Sequence, residues 1–109
     1  MAVVIGVDVG TTATKVVAFD AAGQVKAQAS RAYPLLQAQP GAAELDPQAI
    51  LAAVQAGLKA VAGALPAGSV AGISFSAAMH SLMLLDEKRQ PLTRVITWAD
   101  IRAERAAEQ

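Results

Sequence analysis

Cysteine is absent from the 109 residues, which excludes disulfides, thiolate metal sites and thiol nucleophiles together. Histidine occurs once, at position 80, so a zinc-type site finds no second imidazole. Charge of one sign is missing as well. Nine basic residues offset nine acidic ones, leaving no electrostatic footprint for nucleic acid or an anionic membrane. No apolar run approaches the ~20 residues that span a bilayer. Met1 leads directly into a strand-like run, without the basic region, apolar core and cleavage site of a leader. The expectation is a soluble, cytoplasmic protein with neither a nucleic-acid nor a membrane partner.

What remains is a chain long enough for one small domain, whose 54% hydrophobic content argues against disorder. Much of that content is alanine, which buries little area, so the core leans on clusters of Val, Ile and Leu. The organising stretch is Val3 to Asp20. Val3 to Val9 is nearly continuously apolar and predicts a central strand covered on both faces. Asp8 interrupts that run just before the turn. A lone buried charge is costly, so the carboxylate is expected at a strand end, facing a polar site or an ion. Gly10 allows a sharp turn and close approach of a ligand, and Thr11 and Thr12 supply hydroxyls and backbone N–H donors. Amides in such a turn can form an anion-binding nest suited to phosphate. The competing reading is a plain β-hairpin with a solvated Asp8. Neither a Gly-x-x-x-x-Gly-Lys-Ser/Thr loop nor a Gly-x-Gly-x-x-Gly turn is present, so the P-loop and dinucleotide fingerprints do not apply.

Along the chain, Asp20-Ala21-Ala22-Gly23 predicts a turn, and the alternation from Gln24 to Ser30 predicts a half-exposed antiparallel edge strand. The first thirty residues thus read as a three-stranded meander. Tyr33-Pro34 to Pro40-Gly41 is a connector by its prolines and glycine. Asp46-Pro47 predicts a helix start, with Ile50, Leu51, Val54, Leu58, Val61 and Leu65 on its buried face. Gly57 either weakens this helix or permits close packing on the sheet. Pro66-Ala67-Gly68 ends it. Val70 to Phe75 predicts a strand parallel to an earlier one, because a helical crossover precedes it. Leu82 to Leu85 and Arg94 to Thr97 predict short strands joined by a solvated turn from Asp86 to Pro91. Ala99 to Gln109 is helix-forming, and no glycine or proline closes it, which predicts a cut chain rather than a domain end. No internal repeat or low-complexity linker is present.

Asp8–Thr12 with Lys15, Pro40–Pro47, Gly72–His80 and Thr97–Arg102, four segments in register, together resemble the N-terminal part of the FGGY family of carbohydrate kinases. Asp8-Val9-Gly10-Thr11-Thr12, followed by Lys15, is similar to the phosphate motif of the actin, hexokinase and heat-shock ATPase superfamily. Pro40-Gly41-Ala42-Ala43-Glu44-Leu45-Asp46-Pro47 resembles the family's PGWxEQDP segment, with alanine where an aromatic is usual and Leu45 in place of glutamine. Gly72-Ile73-Ser74 through Met79-His80 resembles GIS-x-QMH, and Thr97 to Arg102 resembles the W-x-D-x-R element. Ala77-Ala78 before the Met-His pair looks closer to gluconate kinases than to xylulose kinases, which tend to carry Gly-Gln there.

The resemblance implies an α/β fold: a partial actin-like ATPase (ribonuclease H-like) lobe whose mixed sheet combines the antiparallel meander, a crossover helix and a parallel strand. Residues 1–109 would form the N-terminal part of the first lobe, with the rest of that lobe and the second lobe beyond this chain. It implies ATP and Mg²⁺ as cofactors, a sugar or sugar acid as substrate, and gluconate first, then xylulose or another polyol. Asp8 would hold Mg²⁺ largely through water, and Gly10, Thr11 and Thr12 would cradle the phosphate. Lys15 points either to the phosphates or to solvent. Met79 and His80 would line the sugar pocket, against the alternatives of packing and of a solvated histidine. Trp98 belongs to the core or to the pocket wall. Asp100 can accept from substrate hydroxyls and Arg102 can offer a fork to a carboxylate, or the two are a helix-start acid with a surface arginine. The general-base aspartate is expected beyond Gln109. The chain alone is then expected to be inactive, either a kinase fragment or a non-catalytic binding module, and a possible homodimer.

Overall fold

The computed structural model describes residues 2–108, so Met1 and Gln109 lie outside the described residues. Its centre is a four-stranded sheet of β1 (Val3–Val9), β2 (Ala13–Phe19), β3 (Val25–Ala32) and β5 (Val70–Ala77), in the order β3-β2-β1-β5. The meander pairs antiparallel, with Val7 opposite Val16 and Asp8 opposite Lys15. β5 runs parallel to β1, Asp8 lying beside Ser76. The predicted mixed sheet is therefore observed.

Helix α1 (Pro47–Gly63) makes the crossover between the meander and β5. It starts where the sequence predicts: the Asp46 side chain accepts from the Gln48 N–H at 2.9 Å, and Pro47 occupies the first turn, where its missing donor costs nothing. The helix lies on β2 and β3. Ile5, Val7, Val16, Ala18 and Val61 form the central buried cluster. Each fully buried valine there contributes about 2 kcal/mol through burial.

The helix face follows the sequence expectation in Val61, which is buried, and in Ile50, Val54, Leu58 and Leu65, which pack against the buried clusters, but not in Leu51. Ala53, Gly57 and Val61 are its buried residues, while Leu51 is 51% exposed. Small residues let the helix settle deeply. A Cβ on Gly57 would lie 2.6 Å from Val16 Cγ2, so glycine is required there by the close approach. The two-sided cover expected for β1 is also corrected. Val3, Ile5 and Val7 are buried beneath the helix, whereas Val4 on the opposite face is 52% exposed and Asp8 is exposed. The apolar run fits a central strand, but this chain covers only one of its faces.

A smaller layer sits beside the main sheet. β4 (Glu44–Leu45) pairs antiparallel with β6 (Val95–Ile96), and single bridges add Leu36 to Glu44 and Leu82 to Ile96. The expected strand at Leu82 to Leu85 is thus reduced to isolated bridges, and Arg94 to Thr97 to two residues, because these segments are too short to extend a ladder. At the C-terminal end only Glu104–Ala107 forms a helix, α2. The preceding residues are instead held in turns by side-chain bonds to Asp100 and Thr97.

Candidate functional site

The turn from Gly10 to Thr12 joins the carboxyl end of β1 to β2. Gly10 donates to the Ala13 carbonyl at 3.0 Å, and a Cβ on Gly10 would lie 2.9 Å from that same backbone oxygen. Glycine is therefore needed to close the turn. Among the described residues, no protein group accepts from the N–H of Thr11 or Thr12. Two adjacent unpartnered donors at a half-exposed turn are the raw material of an anion nest.

Asp8 lies on the open face of the sheet, one strand-step before this turn, between Lys15 on β2 and Ser76 on β5. Asp8 and Lys15 are both exposed, and among the described residues no ion pair joins them. Both remain available to a ligand. No group of three or more His, Asp or Glu that could hold a metal occurs among the described residues. A lone carboxylate beside free amides still suits Mg²⁺, which is commonly held by one or two carboxylates together with waters and substrate phosphates.

Two further segments reach the same end of the sheet. The Ala78 N–H donates to the Val9 carbonyl at 2.9 Å, carrying β5 past the turn into Met79 and His80. Met79 is 72% exposed, so it does not pack in a core here. His80 is exposed and has φ 57°, a left-handed conformation that is uncommon for a non-glycine residue and is often found at functional positions. From the smaller layer, Trp98 Nε1 donates to Thr11 Oγ1 at 3.3 Å. Trp98 is 64% exposed, which rules out the core reading left open by the sequence. The tryptophan thus meets the phosphate-like turn, and the Met-His segment leaves β5 at the same end of the sheet, the carboxyl ends of β1 and β5, where open α/β sheets bind their ligands.

Asp100 and Arg102 stand somewhat apart, in a network of their own. Asp100 accepts from the Ala43 N–H at 3.0 Å and pairs with Arg102 at 2.7 Å. Arg102 reaches on to Glu44 at 2.9 Å, and Arg94 approaches Glu44 at 3.8 Å. Hydrogen bonds from Arg102, then from the Ala43 amide, hold the Asp100 carboxyl down at about 2, and the hydrogen bonds that Arg102 donates to Asp100 and then to Glu44 raise its guanidinium. Thr97 adds two bonds to the Ala43 carbonyl, at 3.0 and 2.8 Å. The segments around Ala43 and Trp98, read separately from the sequence, are therefore one unit that carries the tryptophan to the turn.

Sequence reasoning missed Tyr33 and Thr14. Tyr33 is buried and its hydroxyl donates to the Gly10 carbonyl at 2.6 Å. Thr14 is buried with its hydroxyl 3.1 Å from the same tyrosine oxygen. The available signal was a single tyrosine placed immediately before a proline, which reads only as the start of a connector.

Comparison with known proteins gives the chain a family. The model of the FGGY family of carbohydrate kinases, N-terminal domain, matches residues 3–109. A gluconokinase from Bacillus subtilis is 42% identical over 100 residues, covering 92% of this chain and 20% of that protein. A xylulose kinase from the same organism is 39% identical, covering 94% of this chain and 21% of its own length. Among solved structures, a gluconate kinase from Lactobacillus acidophilus superposes with a TM-score of 0.92 at 43% identity, over 97% of this chain and 21% of its own. A ligand-bound xylulose kinase from Lactobacillus acidophilus gives 0.94 at 42% identity, over 99% and 22%. The chain spans about a fifth of the length of the curated relatives it matches. Its mixed sheet is accordingly that of the actin-like ATPase fold, and the chain belongs to the FGGY family of carbohydrate kinases.

Proposed function

We propose that this chain is the N-terminal part of the first lobe of an ATP-dependent carbohydrate kinase whose acceptor is a sugar or sugar acid, gluconate first. The observation that carries the proposal is the half-exposed Gly10–Thr12 turn with its two unpartnered amides, flanked by Asp8 and touched by Trp98. Phosphoryl transfer depends mainly on positioning and charge neutralisation, and this turn offers both.

In this reading Gly10, Thr11 and Thr12 cradle the transferring phosphate and Lys15 adds a positive charge across the strand pair. Asp8 holds Mg²⁺ through water, and the ion when bound supplies neutralisation of phosphate charge. Met79, His80 and Trp98 line the acceptor pocket. Asp100 and Arg102 are assigned to the acceptor as well: Asp100 accepts from its hydroxyls, and Arg102, whose Nε and Nη2 already serve Asp100 and Glu44, has its remaining N–H donors for a sugar carboxylate. The acceptor's terminal hydroxyl takes the γ-phosphoryl group of ATP, its proton passing to a base supplied from outside these residues, and ADP leaves. The protein works in the cytoplasm. One partial lobe does not hold nucleotide and acceptor together, so the isolated chain has negligible turnover.

Xylulose or another polyol is the second reading, favoured by relatives of that name at nearly equal identity. ADP release with MgATP and gluconate, xylulose, ribulose or glycerol, run on this chain and on the full-length protein, tests the proposal. Acceptor-dependent release by the full-length protein alone, led by gluconate, is expected. A different leading acceptor retires gluconate, and no release with any acceptor retires the kinase reading.

A further inference from the structure

The turn with the unpartnered amides is held from inside by one residue. Tyr33 binds the Gly10–Thr14 segment three times. Its N–H donates to the Thr12 carbonyl at 3.1 Å, and its hydroxyl donates to the Gly10 carbonyl at 2.6 Å. With that single proton committed, the Thr14 hydroxyl at 3.1 Å is the donor to the tyrosine oxygen. The ring itself is fixed in a second buried cluster with Leu45 and Ala53, the latter on α1. Tyr33 therefore ties the turn to the helix that covers the sheet.

The consequence is directional. The Gly10 carbonyl takes an internal donor, and the peptide planes after it leave the Thr11 and Thr12 N–H groups without protein acceptors. We infer that Tyr33 is a positioning residue, whose hydroxyl holds the Gly10–Thr12 turn in its anion-accepting shape. This rests on the phosphate reading proposed above. Losing the hydroxyl leaves the Gly10 carbonyl and the buried Thr14 hydroxyl without their shared partner, an effect worth roughly tenfold in an equilibrium.

The test is Tyr33→Phe, which keeps the ring in its cluster, made in the full-length protein. The kinetic expectation is a roughly tenfold rise in KM for MgATP with KM for the acceptor unchanged. In parallel, hydrogen exchange of the peptide spanning residues 9–14 should accelerate while α1 does not change. Wild-type KM for MgATP overturns the inference. So does a rise of both KM values with faster exchange throughout α1, because that is a general loss of packing. Should the wild-type protein turn over no acceptor, the kinase reading fails and exchange alone decides: faster exchange confined to residues 9–14 upholds the positioning role, and unchanged exchange removes it. Should Tyr33→Phe not fold, Thr14→Val is read the same way, with a smaller change in the same direction expected and no change overturning the inference.

Discussion

Gly57 is where α1 comes nearest the sheet, and Gly57→Ala sets two effects of known size against each other. Alanine improves an internal helix position by about 1 kcal/mol relative to glycine. The added methyl, however, would lie 2.6 Å from Val16 Cγ2 and 3.5 Å from Val16 Cβ. Comfortable carbon contacts are about 3.5–4.0 Å, so the nearer one is a hard overlap. Val16 is fully buried and β-branched, with little freedom to rotate away. Overpacking of this kind costs about 1–3 kcal/mol. The packing cost wins, and Gly57→Ala should destabilise the chain by about 1 kcal/mol, or roughly 4 °C in Tm for a domain of this size. Urea and thermal denaturation followed by far-UV circular dichroism would measure it. The decisive control is Val16→Ala, which removes the opposing methyls. In that background Gly57→Ala should become stabilising by about 1 kcal/mol, as the helix preference is then unopposed. Stabilisation in the wild-type background, or the same effect in both, would refute the close-packing explanation.

Other residues yield shorter tests. Asp46→Ala removes the acceptor for the Gln48 N–H and should cost about 1 kcal/mol in denaturation, with Asp46→Asn losing much less. Asp100 has its folded carboxyl held at about 2 against an ordinary 3.8, so its contribution to stability is full above about pH 4 and lost as pH falls towards 2. Asp100→Asn should therefore flatten the acid-side loss of Tm between those values, and an unchanged slope would count against the Arg102 and Ala43 bonds as its cause. β5 ends the sheet order, and its Ile73 and Phe75 are 49% and 61% exposed, so the isolated chain should self-associate through this edge. Sedimentation velocity at rising concentration should show dimers that Phe75→Lys removes; a strictly monomeric wild type would contradict it.

Much of the fold was legible because its signals are local. The Asp46-Pro47 cap, the alternation of β3 and the helix between two apolar runs each act within a few residues, and each appears where expected. Leu51 and the open face of β1 were misjudged for a common reason. An apolar residue announces its capacity for burial, while the partner that would bury it is set by the rest of the fold. The candidate site divides in the same way. Asp8, Gly10, Thr11 and Thr12 are contiguous and readable as a turn. The Trp98 bond to Thr11 spans 87 positions, and the Tyr33 bond to Gly10 spans 23, so neither leaves a trace in local pattern. Asp100 and Arg102 were visible as a charged pair, but their tie to Glu44 and Ala43 required the pairing of β4 with β6.

The central claim is that the Gly10–Thr12 turn accepts a phosphate. Its most direct test is a titration of the ¹⁵N-labelled chain with inorganic pyrophosphate in the presence of Mg²⁺, followed residue by residue. The largest saturable amide shifts should fall on Thr11 and Thr12, the two donors without protein acceptors, with smaller ones at Gly10. They should disappear in Gly10→Ala, whose methyl would press on the Ala13 carbonyl at 2.9 Å and distort the turn. Shifts that centre elsewhere, or turn amides that stay still up to saturating pyrophosphate, would contradict the account.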